Sequence, residues 1–164
     1  HTSSSTTIDG QTVYANNYKH SDIRAWLNDE FYNTVFGDLQ QALIQTTEVD
    51  NSAQSTDSSS NRYACENTFD KVFLLSYDEI TDSKYFASHS ERIVELNDYA
   101  LANGAWTNYE GDFFYWLRSP SSGNSVQVCD VIQDKVQPSG FGSVNDSVSK
   151  TGGCVVPALN LTLS

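Results

Sequence analysis

The cysteines and histidines are the residues of this chain best suited to nucleophilic or metal chemistry. They are Cys65, Cys129 and Cys154, together with His1, His20 and His89. No two cysteines have the close spacing of a zinc or redox motif. Nucleophilic catalysis also needs a base and an orienting group beside the nucleophile, and nothing in the spacing joins Cys65 to His89. We therefore predict no catalytic residues, no metal site and no enzymatic activity.

Three single disulfides can be formed among the cysteines. We favour Cys129–Cys154, because both residues lie in short apolar segments near the C-terminus that resemble strands. Cys65 would then be unpaired. The absence of Met and the abundance of Ser, Thr, Asn and Tyr are typical of proteins outside the cytoplasm, so we expect a secreted or cell-surface protein.

Residues 116–120, Trp-Leu-Arg-Ser-Pro, combine two side chains of core size with a long cationic one. A buried Arg118 needs carbonyl or carboxylate partners for its five N–H donors. Pro120 would end a strand because it has no N–H to donate. We interpret this run as a structural junction between a strand and a loop, with a ligand role for Arg118 as the alternative.

The polar stretch over residues 121–147 is the predicted ligand-binding surface. Its short β-prone runs predict a small sheet whose outward side chains are amides, carboxylates and an aromatic ring, a set that suits recognition of a protein or a glycan. The predicted ligand-binding residues are Asn124, Gln127, Asp130, Gln133, Asp134, Phe141, Ser143, Asn145 and Asp146. An ordinary solvated sheet face is the alternative.

This stretch offers oxygen ligands that could suit a calcium ion. Residues 137–139 and 144–146 are similar to two sequence elements of animal C-type lectins, but Ser139 replaces a carboxylate and the elements lie closer together. Calcium takes about 6–8 oxygen ligands. Asp130, Asp134, Asn145 and Asp146 could supply some of them. We expect no cofactor, and calcium stays an open alternative.

Charge and composition narrow the class of partner. The 164 residues fit one domain, and 21 acidic against 9 basic residues give a formal charge of −12. Such a charge repels nucleic-acid phosphate. No apolar stretch approaches the ~20 residues of a membrane-spanning helix. We therefore expect a protein or glycan partner, no nucleic acid and no membrane insertion.

The hydrophobic pattern predicts helices in the first two thirds of the chain and strands at the C-terminal end. A helix begins after Ser21, which can cap it, and another covers residues 98–102 and ends at Asn103–Gly104. Further helices are predicted within residues 38–45 and 77–86, a polar loop over 50–62 and a buried strand over 72–75. The predicted C-terminal strands cover residues 113–117, 126–129, 131–136, 143–148 and 155–163. The expected fold class is α+β with a small antiparallel sheet.

Four segments in this order resemble a bacterial domain-of-unknown-function family of surface proteins. They lie within residues 21–32, 70–76, 99–120 and 156–159, and the third ends in Trp-Leu-Arg-Ser-Pro. That family is similar to the C-type-lectin-like fold of formylglycine-generating enzymes and of retroelement variable proteins, in which the C-terminal region is the ligand face. We assign structural roles to Trp26, Trp116, Arg118, Pro120 and Pro157.

Two departures from the family pattern have consequences. Val156 stands where the family has Arg, which removes a polar contact expected near Arg118. The N-terminal strand of the family is not found, so we expect residues 1–20 to be an extension or partial strand and residues 21–164 to be one C-type-lectin-like domain. An open edge beside residues 155–163 would need covering, either by residues 1–18 or by a strand from another segment or chain.

These features together predict a non-catalytic module that binds a protein or glycan on a secreted or surface-displayed bacterial or phage protein. One alternative is a structural or assembly domain of a larger surface protein. The other is an oxidase similar to formylglycine-generating enzymes that uses Cys129 or Cys154.

Overall fold

The computed structural model describes residues 4–107, 113–132, 135–137, 148 and 151–162. Short helices and small antiparallel sheets alternate along the chain, which confirms the expected mixed α and β content. The helices are α1 (Asp22–Trp26), α2 (Tyr32–Val35), α3 (Asp38–Gln41), α4 (Tyr77–Thr81) and α5 (Asp98–Ala102). None of the helices in these ranges is long and apolar enough to cross a membrane.

Side-chain caps determine where three of the helices begin. The Ser21 hydroxyl accepts a hydrogen bond from the Arg24 N–H, and the Asn97 side chain caps α5 in the same way. Ser76 and Glu79 form a reciprocal capping box at α4. Gly104, with a φ of 86°, follows α5 in the left-handed conformation that the predicted stop requires.

A π-helical turn, Leu27–Phe31, continues α1 directly into α2. The helix predicted within residues 38–45 is shorter than expected, because α3 ends at Gln41 and Ile44 instead bridges to Leu161. Leu39, on α3, is 87% exposed. Two 3₁₀ turns, Ala53–Ser55 and His89–Arg92, complete the described helical segments.

The described strands form three separate antiparallel sheets. Two of the sheets have two strands each. β1 (Thr6–Ile8) pairs with β2 (Gln11–Val13), and β3 (Thr47–Val49) pairs with β4 (Thr68–Asp70). The third is β5 (Phe114–Pro120), β6 (Val128–Ile132) and β7 (Lys135–Gln137), in that order, with Tyr115 opposite Val131. The first strand of this third sheet contains the Trp-Leu-Arg-Ser-Pro run.

The C-terminal segment, residues 154–162, joins three distant parts of the chain. Single bridges connect Cys154 to Tyr115, Ala158 to Phe73 and Leu161 to Ile44. These bridges replace the continuous strand predicted over residues 155–163. β1 and β2 pair with each other. The described bridges of the C-terminal segment therefore run to the middle of the chain and to β5 rather than to an N-terminal strand.

β5 separates two clusters of buried apolar side chains. Trp116 packs against the first cluster, which contains Tyr18, Leu27, Tyr32, Ile44, Val72 and Leu74. Tyr115 and Leu117, which point to the opposite face of the strand, belong to the second with Ile80, Phe113, Cys129 and Val131. Val156 packs against this second cluster, an apolar setting in which an arginine would need an added polar partner.

The polar stretch over residues 50–62 is a packed loop rather than a solvated one. Asn51, Ser55, Thr56 and Asn61 are buried. The Asn61 amide donates to the Pro120 carbonyl at 2.8 Å, and the Ser119 hydroxyl donates to the Ser55 carbonyl at 2.8 Å. The predicted strand over residues 72–75 is also wrong, because β4 precedes it and only Phe73 forms a bridge, although Val72 and Leu74 are buried as expected.

Candidate ligand-binding cavity

A cavity of about 360 Å³ lies between the N-terminal segment, α1 and β5. Its apolar lining is Ile23, Leu74, Trp116, Leu117, Val128 and Val155, and its polar lining includes Asn16, Tyr18, Ser21 and Arg118. Residues 148 and 151–153 complete the described wall. Mostly apolar walls with a few fixed polar groups are characteristic of small-ligand sites, whose volumes start at about 300 Å³.

Asn16 is held rigidly at this cavity and has one unused polar atom. Its side-chain Nδ2 donates to the carbonyls of Asn124 at 3.0 Å and Gln127 at 2.8 Å, while its main-chain N–H donates to the Ser125 carbonyl. The opposite amide orientation would place an oxygen against two carbonyl oxygens, so the assignment of Nδ2 is fixed. The residue is 1% exposed, and its Oδ1 accepts no hydrogen bond.

Tyr18 supplies the second buried polar group and is 3% exposed. Its hydroxyl lies near the Leu74 main chain without forming a hydrogen bond of normal geometry. Burial raises the pKa of this hydroxyl well above its usual range, and the negative charge of Asp70 raises it further. Tyr18 is therefore protonated at physiological pH and can both donate and accept.

Asp70 lies behind Tyr18 and is fully engaged. Its carboxylate accepts from Arg24 Nη2 at 2.7 Å, from Arg24 Nε at 2.8 Å and from the Thr68 hydroxyl at 2.7 Å. These bonds connect β4 to α1 and balance the buried charge. Asp70 therefore contributes to the fold of the cavity wall rather than to a charged ligand site.

Trp116 is positioned by close packing against Phe114 and the main chain at Gly153. Its ring meets Phe114 edge to face, with centroids 4.9 Å apart. A Cβ atom at Gly153 would overlap the Trp116 indole and lie 2.7 Å from the Phe114 ring. Only glycine at position 153 allows the main chain to approach the indole so closely.

Arg118 also lines the cavity but its donors point to other partners. It is 2% exposed and binds the Glu79 carboxylate through Nη1 at 2.6 Å and Nη2 at 2.9 Å. Nη1 also donates to the Leu74 carbonyl, and Nη2 to the Asp50 carbonyl. The carbonyl and carboxylate partners expected from its sequence context are present, and this geometry is that of a junction between the loop, α4 and β5.

Of the predicted ligand residues that the structure describes, two are half-buried and one is buried. Asn124 and Gln127 are half-buried, and their carbonyls hold Asn16. Asp130 is 0% exposed, so its prediction as an outward residue is wrong. The alternation argument fails because Cys129, Asp130 and Val131 are all buried, with both faces of β6 covered. Gln133, Asp134, Phe141, Ser143, Asn145 and Asp146 lie outside the described residues.

The predicted disulfide between Cys129 and Cys154 is not present in the structure. Cys154 bridges one edge of β5 and β6 pairs with the other, so β5 lies between the two cysteines. Two strand spacings amount to roughly 9–10 Å between Cα atoms, beyond the roughly 7 Å that a disulfide permits. Burial raises the pKa of all three thiols, most strongly that of Cys129, which disfavours the reactive thiolate.

Metal ligands are not gathered in the part of the chain that the structure describes, where no three His, Cys, Asp or Glu residues come together. Of the four residues considered for calcium, Asp130 is buried in the sheet. The other three lie outside the described ranges.

A second cavity of about 380 Å³ lies beside β3 and is lined by Thr47, Phe73, Tyr85 and Leu159, among others. Its two carboxylates already have partners, because Glu79 binds Arg118 and Glu48 accepts from the Asn67 amide. The first cavity is therefore the stronger candidate, since Asn16 supplies it with a buried acceptor that is not used by the protein.

Sequence analysis missed Asn16 and Tyr18, which lie in the segment predicted to be an extension or partial strand. The partners of Asn16 are 108 and 111 residues away in the chain, so no local pattern indicates its role. The cluster of Tyr14, Asn16, Asn17 and Tyr18 was the only available signal, and it indicates polarity rather than burial.

The chain was compared with known families, curated proteins and solved structures. No curated protein and no solved structure matches it. The family described as "Domain of unknown function (DUF6273)" matches residues 3–163, which confirms the expected kind of family. Because this match spans nearly the whole chain, the protein belongs to the DUF6273 family.

Proposed function

We propose that this domain is a non-catalytic ligand-binding module with a C-type-lectin-like fold, on a secreted or surface-displayed bacterial or phage protein. The observation that carries the proposal is the unpaired, buried Asn16 Oδ1 at an apolar cavity. A buried acceptor without a partner lowers stability by about 1–3 kcal/mol, and a ligand that donates to it would remove that penalty.

The chemistry of the lining favours binding over catalysis. The Asn16 amide oxygen is neutral and only weakly basic, and the raised pKa of Tyr18 keeps its hydroxyl protonated. Neither group is suited to remove a proton or to attack a substrate at physiological pH. Both are suited to fix the orientation of a bound molecule, because packing and hydrogen bonds hold the residues that carry them.

The ligand belongs to a surface protein or a glycan. The net charge of −12 opposes binding to nucleic acid. The composition, rich in Ser, Thr, Asn and Tyr and without Met, supports a role outside the cytoplasm. The half-buried Asn124 and Gln127 support the site indirectly, because they hold Asn16 in place.

Filling the cavity tests this proposal. Ile23 lines the cavity from α1, so the larger indole of Ile23→Trp would occupy open volume with little displacement of protein atoms. The control is Val35→Trp on α2, where the native side chain is exposed and does not line the cavity. Arrays of glycans and of host surface proteins would be probed with the parent chain and both variants, after circular dichroism confirms that each is folded.

We expect Ile23→Trp to lose the interactions of the parent chain and Val35→Trp to retain them. Retention of every interaction by a folded Ile23→Trp variant would rule out the cavity as the binding site.

A structural or assembly domain is the second candidate, because exposed apolar side chains favour it. α5 buries none of its residues, and Tyr99, Leu101 and Trp106 are exposed, as are Leu39 and Phe69 elsewhere. Exposed apolar groups of this size can mark protein contacts. Sedimentation velocity over a range of concentrations separates the candidates, since an assembly domain would self-associate and Tyr99→Ser would weaken that association.

A further inference from the structure

The polar groups at the cavity specify which hydrogen-bonding groups a ligand must present. Asn16 offers a ligand only the acceptor Oδ1, because the carbonyls of Asn124 and Gln127 already bind both hydrogens of its Nδ2. A ligand must therefore donate an O–H or N–H to it. The Tyr18 hydroxyl can donate or accept. An occupant with only apolar atoms would leave both groups buried and unpaired.

The charges around the cavity specify a neutral ligand. Arg118 lines the cavity, but Glu79 and two carbonyls occupy its guanidinium. Asp70, which lies behind Tyr18, is bound by Arg24 and Thr68. The remaining described lining residues carry no charge. Among these described residues, a charged ligand would find no free counter-ion to balance the hydration that it loses.

The apolar lining specifies the shape of the ligand. Trp116 offers an indole beside Ile23, Leu74 and Val155, and Asn16 and Tyr18 supply the polar part of the same cavity. A ring with C–H groups on one face and hydroxyl groups at its edge satisfies both kinds of surface. An aliphatic side chain from a protein partner satisfies only the apolar part.

We propose that the cavity binds a neutral sugar ring, with a C–H face packed on Trp116 and a ring hydroxyl donating to Asn16. This inference rests on the proposed binding function and specifies its ligand class as an uncharged glycan unit. The volume of about 360 Å³ is within the range of small-ligand sites and leaves room for one such ring.

Saturation-transfer NMR on this chain would test the inference. The neutral probes are the methyl glycosides of glucose, galactose and mannose, and N-acetylglucosamine. The charged probes are glucuronic acid and glucosamine. We expect at least one neutral probe to bind saturably and its charged counterpart to bind more weakly.

Tyr18→Phe is the main variant, because the Tyr18 hydroxyl makes no regular hydrogen bond in the protein and the fold should be retained. We expect its dissociation constant to rise about 3–10-fold, as for loss of one neutral hydrogen bond. Trp26→Phe, on α1 and away from the cavity lining, should leave binding unchanged. Equal binding of charged and neutral probes, or an unchanged dissociation constant in Tyr18→Phe, would overturn the sugar assignment.

The outcome for Ile23→Trp separates this inference from the proposed function. If no neutral sugar binds but Ile23→Trp abolishes capture of a surface protein, the cavity is a binding site and the sugar assignment is wrong. If tyrosine-containing peptides bind with the same sensitivity to Tyr18→Phe, the ligand is a hydroxylated side chain instead. If folded Ile23→Trp retains every interaction, both proposals are wrong.

Discussion

At the residue scale, the described buried ion pairs also form hydrogen bonds with main-chain carbonyls or with a hydroxyl. Arg118 joins Glu79 to two main-chain carbonyls, and Asp70 joins Arg24 to Thr68. In each ion pair one partner is deeply buried and the other partly exposed. Removing the buried member should therefore cost less than in a fully buried pair, because the remaining charge can be hydrated.

Arg118→Met should lower the free energy of unfolding by about 2–4 kcal/mol, since it removes the Glu79 pair and leaves the Leu74 and Asp50 carbonyls without their donor. Urea denaturation measures this change. Lys71→Met is the control, because Lys71 is only half-buried and its ammonium contacts the hydroxyl and ring of Tyr32 on α2. A loss below about 0.5 kcal/mol in Arg118→Met would contradict the junction role.

Glu79 should make stability depend on pH. Burial of the Glu79 carboxyl raises its pKa. The hydrogen bonds and charge of Arg118, with further bonds from Ser76, outweigh burial and hold the pKa below the usual value of a glutamate. Because the pKa is lower in the folded than in the unfolded protein, the stabilisation is complete above the unfolded value and disappears as the pH falls through the folded value. The free energy of unfolding should therefore fall as the pH is lowered below the usual pKa range of a glutamate carboxyl.

Glu79→Gln should reduce this dependence, measured by urea denaturation at each pH. Glu66→Gln is the comparison, because Glu66 also has a lowered pKa from Lys19 but is exposed, so its effect should be smaller. Equal pH profiles for the parent chain and Glu79→Gln would contradict the assignment.

At the element scale, helix ends could be predicted from the sequence because their causes are local. Ser21 caps the start of α1, and Asn97 caps the start of α5, through contacts within a few residues. Gly104 follows the end of α5. The burial of the loop over residues 50–62 could not be predicted, because contacts with the end of β5 bury its Ser and Asn side chains. The cavity depends in the same way on Asn16 and β5 meeting across the chain.

β6 shows a second limit on prediction from sequence. Alternation of polar and apolar residues predicts one solvated face only where one face of a sheet is open. Both faces of β6 are covered, so Asp130 is buried although its residue type favours exposure. The prediction of Asp130 as an outward residue was wrong for this reason.

Ala158 should be the most sensitive position of the C-terminal segment. Its N–H donates to the Phe73 carbonyl at 2.7 Å, and the Phe73 N–H donates to the Ala158 carbonyl at 2.9 Å. Ala158→Pro removes one donor and should lower the free energy of unfolding by about 3 kcal/mol. Ala158→Gly retains the N–H and should cost about 1 kcal/mol. Similar losses in the two variants, measured by thermal and urea denaturation, would show that this bridge contributes little.

At the scale of the whole molecule, the charge of −12 should destabilise the folded state through repulsion. Raising NaCl from about 0.01 M to about 0.5 M shortens the Debye length to a few ångströms and should raise the thermal midpoint. KCl should act equally, because screening does not depend on the cation. A fall in the midpoint would contradict the repulsion argument, and a larger rise with calcium than with magnesium at equal ionic strength would indicate a calcium site.

The C-terminal segment also determines when the molecule can fold. Gln45 and Thr162 are bonded across 117 residues, and Asn16 and Gln127 across 111. Closing such long loops is slow, because the entropy loss precedes most of the stabilising contacts. During synthesis, Ile44 and Phe73 emerge well before their partners at residues 161 and 158. The nascent chain should therefore stay open until residues 154–162 have left the ribosome, and its folding should be slow.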